Sequence, residues 1–288
     1  MPTVAPQLLM FHPERWGQVD RFRRFYSTTY EFTERQQRAV MGVEAHFEKF
    51  LRLQSLAASL LPRLQIDEKQ LEEQGFTPAE NARDIAVLIE AAVLELYSAV
   101  DCTRQILETL YQKGTRHFQK DSTEKLFNYA SKFEGTFPDE LKPLFTDAPW
   151  YWKLVKLRKE LVHLSTGSIC QERESKSIRY DHFGLKEGNK PYSIDNIFEW
   201  LDDMMKQVNQ FLGQVFKYLN STLDDKPVHQ ICGMVEGRVL YRYLSPVGDI
   251  TFDSGACGAQ VWFDLPDSPT CPFKERCGAY QRPASLSF

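Results

Sequence analysis

The sequence predicts a mainly α-helical bundle with a small β-rich extension at its C-terminal end. Long segments place apolar residues at helical spacing, and the composition changes after Asp225. Of the 288 residues, 42% are hydrophobic, which is enough for a sizeable core. The pattern predicts an N-terminal arm (1–32), a helical domain (33–222) and a cysteine-containing β-rich extension (223–288).

The first elements are an aromatic arm and a long helix. The run RFRRFY (21–26) either packs Phe22 and Phe25 and leaves its arginines in solvent, or stacks on nucleic-acid bases. Apolar spacing then predicts a helix over 33–61, which Pro62 limits. A polar connector, QIDEKQLEEQGF, follows this helix.

The second long helix is predicted from its ends. Thr77, Pro78 and Glu80 form a capping-box pattern with proline at the first helical position, and Gly114 marks the end. A shorter helix is predicted over 122–134, with Ser122 or Thr123 as its cap.

The remaining elements alternate between helix and turn-rich segments. A helix is predicted over 153–163, followed by a polar, turn-rich stretch over 165–192 with a small hairpin around SIRYDHFGL (177–185). Ser193 is predicted to cap the last long helix, which ends near Leu219. In the extension, RVLYRYL and AQVWFDL predict strands.

Composition and missing motifs exclude several classes of protein. The net charge is −4 and the pI about 5.9, so no global basic field attracts nucleic acid. The chain contains no P-loop, Rossmann, H-E-x-x-H or G-x-S-x-G pattern. Without a signal-peptide pattern, and with six cysteines in a long chain, the expectation is a cytoplasmic protein with reduced thiols and no membrane span.

One short sequence pattern contains residues that could catalyse a reaction. Arg158 and His163 stand near the end of the run KLVKLRKELVHLSTG. Arginine offers a planar positive fork for a phosphate, and histidine exchanges a proton near neutral pH. These groups are sufficient to cleave RNA through its own 2′-hydroxyl without a metal. The alternative is a surface charge and a packed imidazole, because five residues separate the two around a helix by about 140°.

The segment LRKELVHLSTG, with the long helices before and after it, resembles the HEPN family over about residues 33–222. The resemblance implies an antiparallel helical bundle with an R-x4-6-H motif, here Arg158 to His163. It also implies a metal-independent endoribonuclease that leaves a cyclic phosphate. Lys159 departs from the family pattern; it either helps to hold phosphate or marks a degenerate site.

The resemblance also implies an oligomeric state and a biological role. It implies a homodimer in which two copies of the motif face each other across one cleft. Proteins of this kind are often toxins or antiviral defence effectors, and control by a regulatory partner protein is left open. The alternative function is a non-catalytic helical module that binds a nucleotide or a protein. A third interpretation is a structural subunit that docks through its cysteine-rich tail.

Two acids and four cysteines complete the set of candidate residues. Glu95 or Asp101, on the second long helix, either orients His163 or lies on a solvated face. Four cysteines concentrate in the extension and suit a structural zinc ion, although no C-x2-C pair is present and free core thiols are the alternative. These cysteines are Cys232, Cys257, Cys271 and Cys277.

Overall fold

The computed structural model describes residues 11–282, and these form a mainly α-helical protein with small antiparallel sheets. The helices are α1 Gln18–Phe25, α2 Glu34–Leu60, α3 Leu64–Gln74, α4 Glu80–Tyr111, α5 Thr123–Tyr129, α6 Lys142–Thr146, α7 Pro149–His163, α8 Ile197–Ser221 and α9 Gln260–Phe263. The strands are β1 Thr115–Arg116, β2 Glu134–Gly135, β3 Ser168–Gln171, β4 Ile178–Glu187, β5 Lys190–Ile194, β6 Val228–Val235, β7 Arg238–Leu244 and β8 Ala256–Cys257.

The chain divides into two compact units. The helical unit comprises Thr33–Gln214. The cysteine unit combines the chain up to Phe32 with the chain from Val215 onward. The arm and the extension that the sequence suggests therefore pack together in one unit.

Two long antiparallel helices, α2 and α4, form the centre of the helical unit. The helix predicted over 33–61 is confirmed as α2. Its N-terminus is closed by a capping box, in which the Thr33 amide donates to Gln36 Oε1 at 2.8 Å. Buried apolar residues recur along α2 and α4 at helical spacing, as the sequence pattern indicates.

The connector before α4 differs from the prediction. It forms helix α3, and the capping box at Thr77 and Glu80 is wrong. Ala79 precedes α4 in the left-handed region (φ 53°). The Asp67 carboxylate of α3 instead accepts the Ala82 amide at 2.9 Å, which places a negative charge at the helix N-terminus.

Aromatic rings at the N-terminal end of α7 pack against rings from three other helices, α5, α6 and α8. Phe127 and Tyr151 stack with their ring centroids 3.6 Å apart and an interplanar angle of 4°. Trp150 and Phe145 meet these rings edge-on, and Phe211 of α8 closes the cluster. This packing holds α7 firmly against the bundle.

The turn-rich segment after α7 forms a three-stranded antiparallel sheet in the order β3-β4-β5. The predicted hairpin is confirmed and is part of this larger sheet. The predicted cap Ser193 is wrong, because it lies in β5 and its hydroxyl donates to Asp181 of β4 at 2.7 Å. Helix α8 begins four residues later, at Ile197.

In the cysteine unit, α1 carries the aromatic and basic run. Phe22 and Phe25 are fully buried, so the packing interpretation is confirmed and base stacking by these rings is excluded. The arginines do not simply extend into solvent. Arg24 donates to Asp20 at 2.9 Å, and Arg21 donates to the Gly248 carbonyl at 2.7 Å.

The extension forms the antiparallel sheet β6-β7-β8. The strand predicted at RVLYRYL is confirmed as β7, and β6 before it was not predicted. The strand predicted at AQVWFDL is wrong, since this segment forms the short helix α9, which turns Phe263 into a small core. The other buried members of this core are Val235, Leu240, Ala259, Cys277, Ala279 and Tyr280.

Candidate functional site

Both motif residues lie on one regular helix, α7, and His163 is its last residue. Regular helical geometry places their side chains about 140° apart around the axis. Arg158 is half-buried, whereas His163 is exposed. The two groups therefore lie on different sides of α7 within one chain.

Arg158 contacts an aromatic ring rather than an acid. Its guanidinium carbon lies 4.8 Å from the centroid of the Tyr97 ring, which is a cation–π distance. Within residues 11–282, no carboxylate forms an ion pair with it. Its neighbour Lys159 is engaged, because the ammonium lies 2.6 Å from the Glu124 carboxylate. Both partners of that ion pair are substantially exposed, so it is weak.

Arg158 and Lys159 line an open polar cleft of about 590 Å³ between α2, α4, α5 and α7. His163 is not among the residues that line this cleft in the described chain. The other charged or ionisable polar groups at its walls include His46, Tyr97, Asp101, Asp121 and Glu124. The cleft thus mixes cations with carboxylates, and its volume would admit a nucleotide-sized group.

The two acids considered for orienting His163 have other partners. Glu95 accepts a 2.6 Å hydrogen bond from His46 Nδ1 and forms an ion pair with Lys49. Burial alone would raise the pKa of Glu95, but these hydrogen bonds outweigh it and lower the pKa below its ordinary value. Asp101 accepts from the Thr123 hydroxyl. Neither acid holds His163.

A different acid has the right spacing to His163. Glu160 lies three residues before it on α7, and residues three apart on a helix are neighbours. One carboxylate oxygen of Glu160 is buried and has no hydrogen-bond partner in the described part of the chain. Glu160 is the one acidic residue of α7, and it lies within one helical turn of His163.

The turn that ends α7 is anchored by buried polar groups. Glu90 of α4 accepts the Gly167 amide at 2.6 Å and the Tyr180 hydroxyl at 2.8 Å. A Cβ atom on Gly167 would lie 2.3 Å from the Tyr180 ring, so only glycine fits there. This arrangement positions the C-terminal end of α7, where His163 lies.

A buried histidine adds to this anchor. His182 is completely buried, and its Nδ1 accepts the Leu185 amide at 3.0 Å. Since an amide only donates, the proton of the ring lies on Nε2, which donates to the Ser165 carbonyl at 2.9 Å. His182 therefore has a structural role beside the motif.

The four late cysteines come together in the cysteine unit. Cys232, Cys257, Cys271 and Cys277 line a single small cavity of about 30 Å³, and all are free thiols. Burial raises the pKa of Cys232 to about 11 and raises the pKa values of Cys257 and Cys271. None of these three is an activated nucleophile at neutral pH.

The sulfurs are not arranged as a ready metal centre. Across residues 11–282, no group of three or more His, Cys, Asp or Glu side chains has a geometry that could hold a metal ion. Thiolate side chains remain the right donor type for zinc, and four of them are the right number for a structural site. Metal binding at this cavity would require the four sulfurs to move closer together.

Sequence reasoning missed three functional candidates. His46 shares the cleft with Arg158, Glu90 anchors the end of α7, and Arg242 lies buried at the cysteine cavity. Each depends on partners far away in the sequence, such as Glu95 for His46, 49 residues apart. A polar residue on an otherwise apolar helical face, as at Glu90, was the one available signal.

Comparison of the chain with protein-family models, curated proteins and solved structures gave no significant match. No helix in the described chain is both long and apolar enough to cross a lipid bilayer.

Proposed function

We propose that this protein is a metal-independent endoribonuclease of HEPN type that acts as a homodimer. Arg158 binds the scissile phosphate, and His163 exchanges the proton. The observation that supports this most is the state of Arg158. Its guanidinium rests on the Tyr97 ring, lines a polar cleft and has no carboxylate ion pair within the described residues.

The proposed reaction needs only these groups and the RNA itself. A histidine removes the proton of the 2′-hydroxyl, and the 2′-oxygen forms a bond to phosphorus. Arginine stabilises the charge that develops on the phosphoryl oxygens. The bond from phosphorus to the 5′-oxygen breaks, and this oxygen takes a proton from a second histidine. The products are a cyclic phosphate and a free 5′-hydroxyl.

The positions of the two residues support a homodimer. Within one chain the side chains of Arg158 and His163 lie about 140° apart, and His163 is outside the cleft that Arg158 lines. A two-fold axis beside α7 would bring the same patch of both chains together. Each chain then supplies the group that the other lacks.

One observation favours the alternative, a helical module that binds a nucleotide or protein without cleaving RNA. The cleft carries the carboxylates of Asp101, Asp121 and Glu124, and Glu124 already engages Lys159. Carboxylates near a polyanion weaken its binding. A cleft of mixed charge suits a small ligand or a protein side chain better than a long RNA.

Cleavage of labelled RNAs in EDTA by the full-length protein tests the proposal. We expect Arg158→Ala and His163→Ala each to lose at least about a hundredfold in rate with unchanged circular dichroism. His229→Ala, an exposed histidine of the cysteine unit, is the matched control and should keep full activity. End-group analysis should find a cyclic phosphate.

A further variant separates the dimeric site from a site within one chain. His46 shares the cleft of Arg158 and is held by Glu95, so it is the alternative proton-transfer group. Loss of cleavage in His46→Ala with full activity in His163→Ala would contradict the dimeric site. A wild-type protein that cleaves no RNA but binds nucleotides would support the interaction module instead.

A further inference from the structure

The four cysteines of the cavity come from three separate segments of the chain. Cys232 lies on β6, Cys257 on β8, and Cys271 and Cys277 lie in the turns that follow α9. The cavity they line measures about 30 Å³, room for one small ion or water and too little for an organic ligand. The fold thus gathers four thiols around space for a single atom-sized ligand.

A buried arginine supplies the second observation. Arg242 of β7 is only 4% exposed and lines the same cavity. Its guanidinium donates to the Cys277 sulfur at 3.4 Å and to the Ser254 carbonyl at 3.1 Å, while its Nε atom is buried without a partner. No carboxylate in the described chain forms an ion pair with it.

The carbonyls of Phe252 and Ser254 and the ring of Phe11, whose centroid lies 3.9 Å from the guanidinium carbon, also contact this arginine, but none of them carries a full negative charge. A guanidinium stays protonated in proteins, and a buried charge without a counter-charge is strongly destabilising. Neutral thiols do not provide that charge. Four thiolates on a divalent cation have a net charge of about −2, and Arg242 beside them would offset part of it.

We propose that Cys232, Cys257, Cys271 and Cys277 bind one structural zinc ion as thiolates, with Arg242 as the buried counter-charge. Sulfur ligands select zinc among the common divalent ions, and four protein ligands close the site to substrate. The core of this unit is small, so metal binding would contribute directly to its folding. This site is independent of the proposed ribonuclease chemistry.

Metal analysis of the full-length protein, purified with reductant and without chelator, tests the proposal. We expect about one zinc per chain. Serine substitution at any of the four cysteines should reduce zinc to a small fraction of that value. Cys102→Ser and Cys170→Ser are the matched controls, because both residues lie in the helical unit, and they should keep their zinc.

Cobalt substitution keeps the test decisive if a serine variant does not fold. Wild-type protein stripped of metal and titrated with Co²⁺ should show the sulfur-to-cobalt charge-transfer bands and the intense visible bands of tetrahedral thiolate coordination. Negligible zinc together with no such bands would overturn the proposal. Iron in place of zinc would overturn the choice of metal.

The role of Arg242 has its own readout. Arg242→Met should weaken zinc binding about 10- to 100-fold in competition with a chromogenic chelator, since groups around a metal site tune affinity by that amount. Arg242→Lys should recover part of the loss because it restores the charge. If the zinc affinity of Arg242→Met equals that of the wild type, Arg242 is not the counter-charge of the site.

Discussion

The Arg158 cleft and the cysteine cavity are built on opposite principles. The cleft is open, measures about 590 Å³ and is lined by charged side chains, most of which lie on helices. The cavity measures about 30 Å³ and is lined mostly by thiols and apolar groups from short strands and turns. The stability of packed helices depends little on the charges that line a cleft between them. The stability of a unit with a small core depends on what occupies that core.

This difference predicts that a substitution in the cleft affects RNA cleavage and a substitution in the cavity affects stability. It is the largest effect that we expect. Arg158→Ala should lose at least about a hundredfold in RNA cleavage with only a small change in melting temperature, because the half-buried side chain makes no ion pair in the described chain and loses only its contact with Tyr97. Cys277→Ser should lower the stability of the cysteine unit and leave cleavage within about twofold of wild type. Thermal melts and cleavage rates of both variants measure this. Equal loss of cleavage in both would break the comparison.

Stability of the helical unit should depend on packing rather than on the charges of the cleft. Gly167→Ala places a methyl group 2.3 Å from the buried Tyr180 ring, so we expect a loss of roughly 1–3 kcal/mol in the free energy of unfolding. Gly213→Ala is the matched control, because its Cβ would meet no atom within 4 Å and it lies inside α8. Denaturant unfolding should find that control neutral or slightly stabilised. A similar loss in both variants would contradict the close approach at Gly167.

The charge of Glu95, which joins α4 to α2, should contribute to stability in a pH-dependent way. Since the pKa of folded Glu95 lies below its ordinary value of 4.5, its ion pair stabilises the fold above that pH and loses its effect as the pH falls through the folded pKa. Glu95→Gln should therefore cost roughly 1–2 kcal/mol at pH 7 and clearly less at pH 3. Unfolding curves at both pH values measure the difference.

Glu34→Gln provides the control for Glu95, because Glu34 is highly exposed in its ion pair with Arg38. That substitution should have little effect at either pH. If Glu95→Gln instead destabilised the protein equally at pH 7 and pH 3, its hydrogen bonds rather than its charge would be responsible.

Mixed dimers give the smallest expected effect and test the composite site directly. In an equal mixture of wild-type and His163→Ala chains, random pairing leaves about a quarter of the dimers wild type. Cleavage per wild-type chain should then fall about twofold, because mixed dimers carry incomplete sites. Cleavage by a species that light scattering shows to be monomeric would contradict the dimeric mechanism.

Local sequence patterns were sufficient to predict much of the secondary structure of the helical unit and little of that of the cysteine unit. The spacing of apolar residues predicted α2. Of the two caps predicted for α5, Ser122 or Thr123, the structure has Ser122, which accepts the Lys125 amide at 3.2 Å. The same approach failed at AQVWFDL, which alternates like a strand and forms α9 instead. A segment of four residues that packs on a small core follows tertiary contacts rather than its own propensity.

The sequence by itself determined that Arg158 and His163 share one helix and lie about 140° apart on it, because helical geometry depends only on the spacing of residues. Only the tertiary structure decided their surroundings. It paired Glu95 with His46 rather than His163, joined Glu90 to Gly167 across 77 positions, and gathered four thiols around Arg242. Such contacts join residues that are distant in the chain, so no local pattern encodes them and packing alone selects them.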